Sequence, residues 1–111
     1  MVKELVMYSR TWGCPFITVA KHVLNDYGVA YREIMIDTDK AARERVLQWT
    51  GFLSVPTLVI ARPGEVLPYE APALLEAGRS PRGIHRDTMI TEPNADQLLQ
   101  WLVEHGFIDR V

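Results

Sequence analysis

One cysteine, Cys14, is the only thiol in the 111 residues of this chain. That scarcity excludes an intramolecular disulfide framework and any site built from several cysteines of one chain. Long apolar runs are missing as well, so no segment is expected to span a membrane. The start, Met1-Val2-Lys3-Glu4, lacks the hydrophobic stretch of a signal peptide, and a reducing, cytoplasmic setting is expected. There is no excess of positive charge: the formal net charge is −2, which argues against binding nucleic acid by phosphate neutralisation and leaves room only for a small local basic site. The three histidines, His22, His85 and His105, lie far apart without metal-ligand spacing. No metal site is expected, and His22 and His105 read as solvated helix residues. Repeats and low-complexity tracts are absent.

What is there is ordinary globular material, 48% hydrophobic and 23% charged, enough for one domain over residues 1–111 with a core of its own. The first 60 residues alternate strand and helix. Glu4 to Tyr8 reads as a short buried strand. Phe16, Ile17, Val19, Ala20, Val23, Leu24 and Tyr27 form a helical stripe that starts at Pro15 and stops at Gly28. Tyr31 to Ile36 is β-rich and apolar enough for a strand covered on both faces. Asp37 to Asp39 offers a cap for a second helix, whose Ala41, Ala42, Arg45, Val46 and Trp49 lead to Gly51. Leu58 to Ala61 is a third strand, and the strand–helix–strand order implies a right-handed crossover with the first two strands parallel.

After Ala61 the character changes. Five of the seven prolines and three of the seven glycines fall between Arg62 and Pro93, which predicts a long irregular connection over 62–90. Ala73 to Gly78 has the composition for a helical turn or two. A fourth strand comes from Asp87 to Ile90 in preference to Glu65 to Leu67. Arg79, Arg82, His85 and Arg86 form a basic cluster, read as a polar loop rather than an anion-binding patch. The last helix opens on a capping box, Asn94 with Gln97, carries Leu98, Leu99, Leu102 and Val103 on one face, and stops at Gly106.

Chemistry concentrates at Tyr8-Ser9-Arg10-Thr11-Trp12-Gly13-Cys14-Pro15-Phe16. Proline is tolerated at the first helical position, so Cys14 sits at a helix N-terminus. A free cysteine there is either a small buried hydrophobe or a reactive thiol. The strand–turn–Cys-Pro–helix setting favours the second, since free N–H groups, the helix dipole and Arg10 all stabilise a thiolate.

Three segments together resemble a glutaredoxin, of the thioredoxin superfamily: the Tyr8–Phe16 segment, Tyr31-Arg32-Glu33-Ile34-Met35-Ile36-Asp37, and Thr50-Gly51-Phe52-Leu53-Ser54-Val55-Pro56-Thr57-Leu58-Val59-Ile60. They span about residues 4–61 in the family's order. The resemblance implies an α/β thioredoxin-like fold, a four-stranded mixed sheet with three main helices and an irregular insertion before the last. It implies a cis bond before Pro56 and exposure of the Val55 backbone beside Cys14, where the family binds the cysteinyl part of glutathione. Arg10 matches the family's lysine, which assists the thiolate and meets a glutathione carboxylate; a guanidinium suits both roles. Phe16 is the aromatic next to the thiol. Trp12 is either a lip for substrate or an aromatic packed on the helix start. Asp96, beside the last helix N-terminus, matches the residue that answers an ammonium.

The departures are informative. Ile17 replaces the second cysteine of the Cys-Pro-x-Cys motif, and the Cys-Gly-Phe-Ser pattern of the cluster-carrying branch is absent. Leu53 stands where many members are polar or basic, and Thr91-Glu92-Pro93-Asn94-Ala95-Asp96 replaces a Gly-Gly-x-Asp segment. The expected activity is that of a monothiol thiol–disulfide oxidoreductase. Glutathione, or another low-molecular-weight thiol, is its co-substrate and thiolated proteins are its partners. No bound cofactor, nucleic acid or membrane partner is expected, and a monomer is expected ahead of a dimer. The rival readings are a binding module, as a dimeric iron–sulfur carrier or a docking protein, and an inactive descendant of the fold with a buried thiol.

Overall fold

The computed structural model describes residues 3–76 and 78–109. Its elements in chain order are β1 (Glu4–Ser9), α1 (Pro15–Asp26), β2 (Arg32–Met35), α2 (Lys40–Thr50), β3 (Thr57–Ala61), β4 (His85–Arg86), β5 (Met89–Thr91) and α3 (Ala95–Glu104). The strands form one sheet in the order β2-β1-β3-β5-β4. β1 and β2 are parallel, as the strand–helix–strand pattern requires, and the remaining neighbours are antiparallel.

Side-chain alternation along the central strands divides the core in two. Leu5, Met7, Leu58, Ile60 and Ile90 point to one face, where Ala20, Val23 and Leu24 of α1 and Leu98, Trp101 and Leu102 of α3 cover them. Val6, Tyr8, Val59, Ala61 and Met89 point to the other, against Ala42 and Val46 of α2 and Ile17. Each fully buried aliphatic side chain contributes about 1.5–3 kcal/mol, so β1 and β3 anchor the layers.

The helices end where local chemistry stops them. Asp39 caps α2 by accepting from the Ala42 amide at 3.1 Å, and Gly51 closes it in the left-handed region at φ 78°. Asn94 and Gln97 exchange two 2.8 Å bonds in the expected capping box.

Three expectations need correction. β2 is an edge strand with half-buried residues throughout, not the fully covered strand expected. The fourth strand is Met89–Thr91, with Asp87 and Thr88 in a hairpin turn instead of a strand; the two-residue β4 pairs with it and makes the sheet five-stranded. The described residues of 73–78 form no helix. Pro68 makes an isolated bridge to Ala61, and the 65–67 alternative is not a strand.

The connection is irregular but tied down. The Tyr8 hydroxyl donates to the Val66 carbonyl and itself accepts from Arg45 Nε at 3.0 Å. Burial raises the Tyr8 pKa above the ordinary phenol value, against the lowering effect of Arg45. Arg32 donates to the Glu65 carbonyl, and Thr88 Oγ1 exchanges bonds with the Glu70 backbone.

Candidate functional site

Cys14 is the N-cap of α1, with extended backbone at φ −152° and ψ 128°, and Pro15 opens the helix behind it. The amides of the first helical turn lack intrahelical acceptors and lie at the thiol's end of the helix. The cysteine is half-buried, and its Sγ approaches the Val55 carbonyl at 3.8 Å. The Val55–Pro56 bond is cis, as the family pattern implies. Thus Cys14, Val55 and Pro56, separated by some forty residues, meet at one end of the sheet. Ile17, one turn on, is buried among Tyr8, Val55 and their neighbours.

Arg10 and Trp12 form the rim. The guanidinium lies 3.7 Å from the Trp12 ring centroid while its Nη2 donates to the Gly13 carbonyl at 3.0 Å. Trp12 is 62% exposed, so it stands as a lip and is not packed away on the helix start. Arg10 Nε is buried without a hydrogen-bond partner among the described residues. Thr11 fixes the same turn from below through its amide and hydroxyl, both donating to Asp37. The Thr11 hydroxyl bond holds the Asp37 carboxyl below the ordinary aspartate value. A cavity of about 180 Å³ opens here, lined by Arg10, Trp12, Ile36, Asp37, Arg43 and Leu53. Arg43, from α2, escaped the sequence reading; its helical position gives no sign that it faces the Arg10 turn.

The opposite rim is supplied by the chain returning from the connection. Glu92 follows β5, and its amide donates to the Pro56 carbonyl at 2.8 Å, which seats it directly beside the cis proline. Its φ of 43° lies in the left-handed region, which favours glycine. Burial raises the Glu92 pKa, and Arg82 and Arg10 pull it back. Arg82 reaches Glu92 at 3.9 Å and lies 4.8 Å from the Phe16 ring centroid. Phe16 is therefore half-buried beneath a cation. Neither Arg82 nor Glu92 was singled out by the sequence as a site residue.

The basic cluster of the connection is dispersed. Arg82 goes to the thiol rim, Arg86 donates to the Ala73 carbonyl at 2.9 Å, and His85 contacts Glu104. Asp96 is exposed in the first turn of α3, and among the described residues no hydrogen bond or ion pair joins it to the thiol or the rim arginines. His22 is exposed as expected. His105 is not a solvated helix residue: it caps α3, partly buried against Trp101, with ring centroids 5.4 Å apart.

A cysteine at a helix start, next to a cis proline and on an αβ sheet of this topology, defines the thioredoxin-like class. Comparison narrows the class. The Glutaredoxin family model matches residues 5–63, just over half the chain. A Ricinus communis glutaredoxin is 32% identical over 59 residues, covering 50% of this chain and 57% of the relative. A Solanum lycopersicum glutaredoxin is 30% identical over 61 residues, covering 52% and 56%. The chain thus spans somewhat over half the length of the curated relatives it matches. The structure of a buckwheat glutaredoxin–glutathione complex superposes with a TM-score of 0.51 at 20% identity, over 96% of this chain and 82% of that one. The chain belongs to the glutaredoxin family.

Proposed function

We propose that the protein is a monothiol glutaredoxin-like oxidoreductase that reduces glutathione mixed disulfides through Cys14. The thiolate attacks the glutathione sulfur of a protein–glutathione disulfide. A Cys14–glutathione disulfide forms, and the substrate sulfur leaves as a thiolate that takes a proton from water. A second glutathione thiolate then attacks the glutathione sulfur held on Cys14, which releases oxidised glutathione and regenerates the Cys14 thiolate. The exchange balances: one mixed disulfide and one glutathione give one substrate thiol and one oxidised glutathione, with no external oxidant or reductant.

The observation that carries this reading is the approach of Cys14 Sγ to the Val55 carbonyl beside cis-Pro56. An extended peptide laid against that backbone has its own sulfur next to the thiol. Arg10 and Arg43 in the adjoining cavity suit a carboxylate at one end of such a peptide. Ile17 supports the single-thiol cycle, because no second cysteine can resolve the intermediate within the chain. The test is deglutathionylation of a glutathionylated model peptide. Wild type should turn over with glutathione and Cys14→Ser should be inactive; turnover by the serine variant would refute the reading.

A further inference from the structure

We infer that His85, Glu104 and His105 form a binding site for a first-row divalent ion of the zinc type, away from the thiol. Two separate parts of the sequence meet here: β4 supplies His85, and the end of α3 with its C-cap supplies Glu104 and His105. Their ligand atoms all lie within 4.8 Å of one another. His85 Nε2 is 3.4 Å from Glu104 Oε2, and His105 Nε2 is 3.9 Å from the same oxygen. Asp87 Oδ1, in the hairpin turn, is 4.0 Å from His105 Nε2 but lies outside the three-residue cluster, so solvent would complete the coordination.

Tetrahedral zinc with bonds near 2.1 Å separates its ligand atoms by roughly 3.4 Å. One pair already stands at that spacing, and the others must close by about 0.5 to 1.4 Å. Two imidazoles with a carboxylate are a donor set suited to zinc and its first-row neighbours rather than to magnesium or calcium.

The surroundings point the same way. His105 Nε2 is buried without a hydrogen-bond partner among the described residues. Among the described residues, no lysine or arginine pairs with Glu104 or Asp87. Lys3, whose ammonium meets the His105 carbonyl, is engaged there and on the Phe107 ring. The backbone beneath is held in place: the Trp101 indole donates to the Asp87 carbonyl at 2.8 Å, and its ring meets His105. The groups needed for coordination are thus gathered on two anchored elements. A bound ion clasps the β4–β5 hairpin to α3, three residues from Arg82 on the thiol rim.

The test uses the tag-free 111-residue chain, titrated with zinc by calorimetry and with cobalt by visible absorption. Wild type and Cys14→Ser should each bind one ion per chain, and the cobalt form should show the intense bands of a tetrahedral site. His85→Ala and Glu104→Gln alter exposed side chains, and each should weaken binding at least about tenfold, since even outer partners of a metal site are worth that much. His22→Ala should bind like wild type. Failure of wild type to bind, binding unchanged in both His85→Ala and Glu104→Gln, or loss of binding with Cys14→Ser alone would overturn the assignment.

Discussion

Arg10 does two things at the thiol's rim: it donates to the Gly13 carbonyl and covers the Trp12 ring, which leaves a rigidly placed cation beside a small cavity. If that cation meets a substrate carboxylate, Arg10→Ala removes a charged hydrogen bond worth about 1.5–3 kcal/mol. The expected result is KM for a glutathione mixed disulfide raised roughly tenfold or more with kcat little changed, and partial recovery in Arg10→Lys. Steady-state kinetics on the three proteins checks this. Glu92 makes a prediction of opposite character. Its folded pKa lies above the unfolded value of about 4.5, chiefly through burial. As pH rises through that window the folded state keeps a proton that the unfolded chain gives up, so Glu92 lowers stability, and above the folded pKa the loss stays constant. Asp37, with its lowered pKa, acts in the other sense, losing a stabilising contribution as pH falls. Urea midpoints of Glu92→Gln against wild type isolate the first effect: the variant should gain stability relative to wild type as pH rises above about 4.5. Cys14, Arg10, Val55 and Pro56 were legible because each belongs to a short local motif. Glu92, Arg82 and Arg43 were not, since only tertiary contacts bring them to the rim.

At the scale of elements, periodicity and caps carried most of the information. α1, α2 and α3 show both in the sequence, and β1 and β3 show as apolar runs bounded by turn residues. The β4–β5 hairpin does not, because a two-residue strand is too short to display alternation. The burial of β2 was overestimated for a related reason: composition does not tell an edge strand from a central one. The hairpin also leans on the α3 cap. A Cβ placed on Gly83, where φ is +73°, would come within 2.9 Å of the Gln97 side chain. Gln97 is half of the capping box. Gly83→Ala should therefore destabilise by about 1–2 kcal/mol through the left-handed backbone alone, and Asn94→Ala by about 1 kcal/mol. The double variant should cost less than the sum, because both changes disturb Gln97. Denaturant unfolding of the four proteins checks the coupling.

For the whole molecule, the order β2-β1-β3-β5-β4 brings three separate segments to one end of the sheet: the β1–α1 turn with Cys14, the approach to β3 with Pro56, and the exit of β5 with Glu92. On the proposed function, this end of the sheet receives an external sulfur beside the one sulfur of Cys14. In the proposed cycle, Ile17, buried where a resolving cysteine would stand, makes the second thiol an external one. Rapid-quench mass spectrometry of the wild-type chain mixed with a glutathionylated peptide tests this most directly. The expected result is a transient species carrying one glutathione on Cys14, which disappears when glutathione is added while oxidised glutathione accumulates. Turnover without that species, or a Cys14 adduct that glutathione fails to discharge, would contradict it.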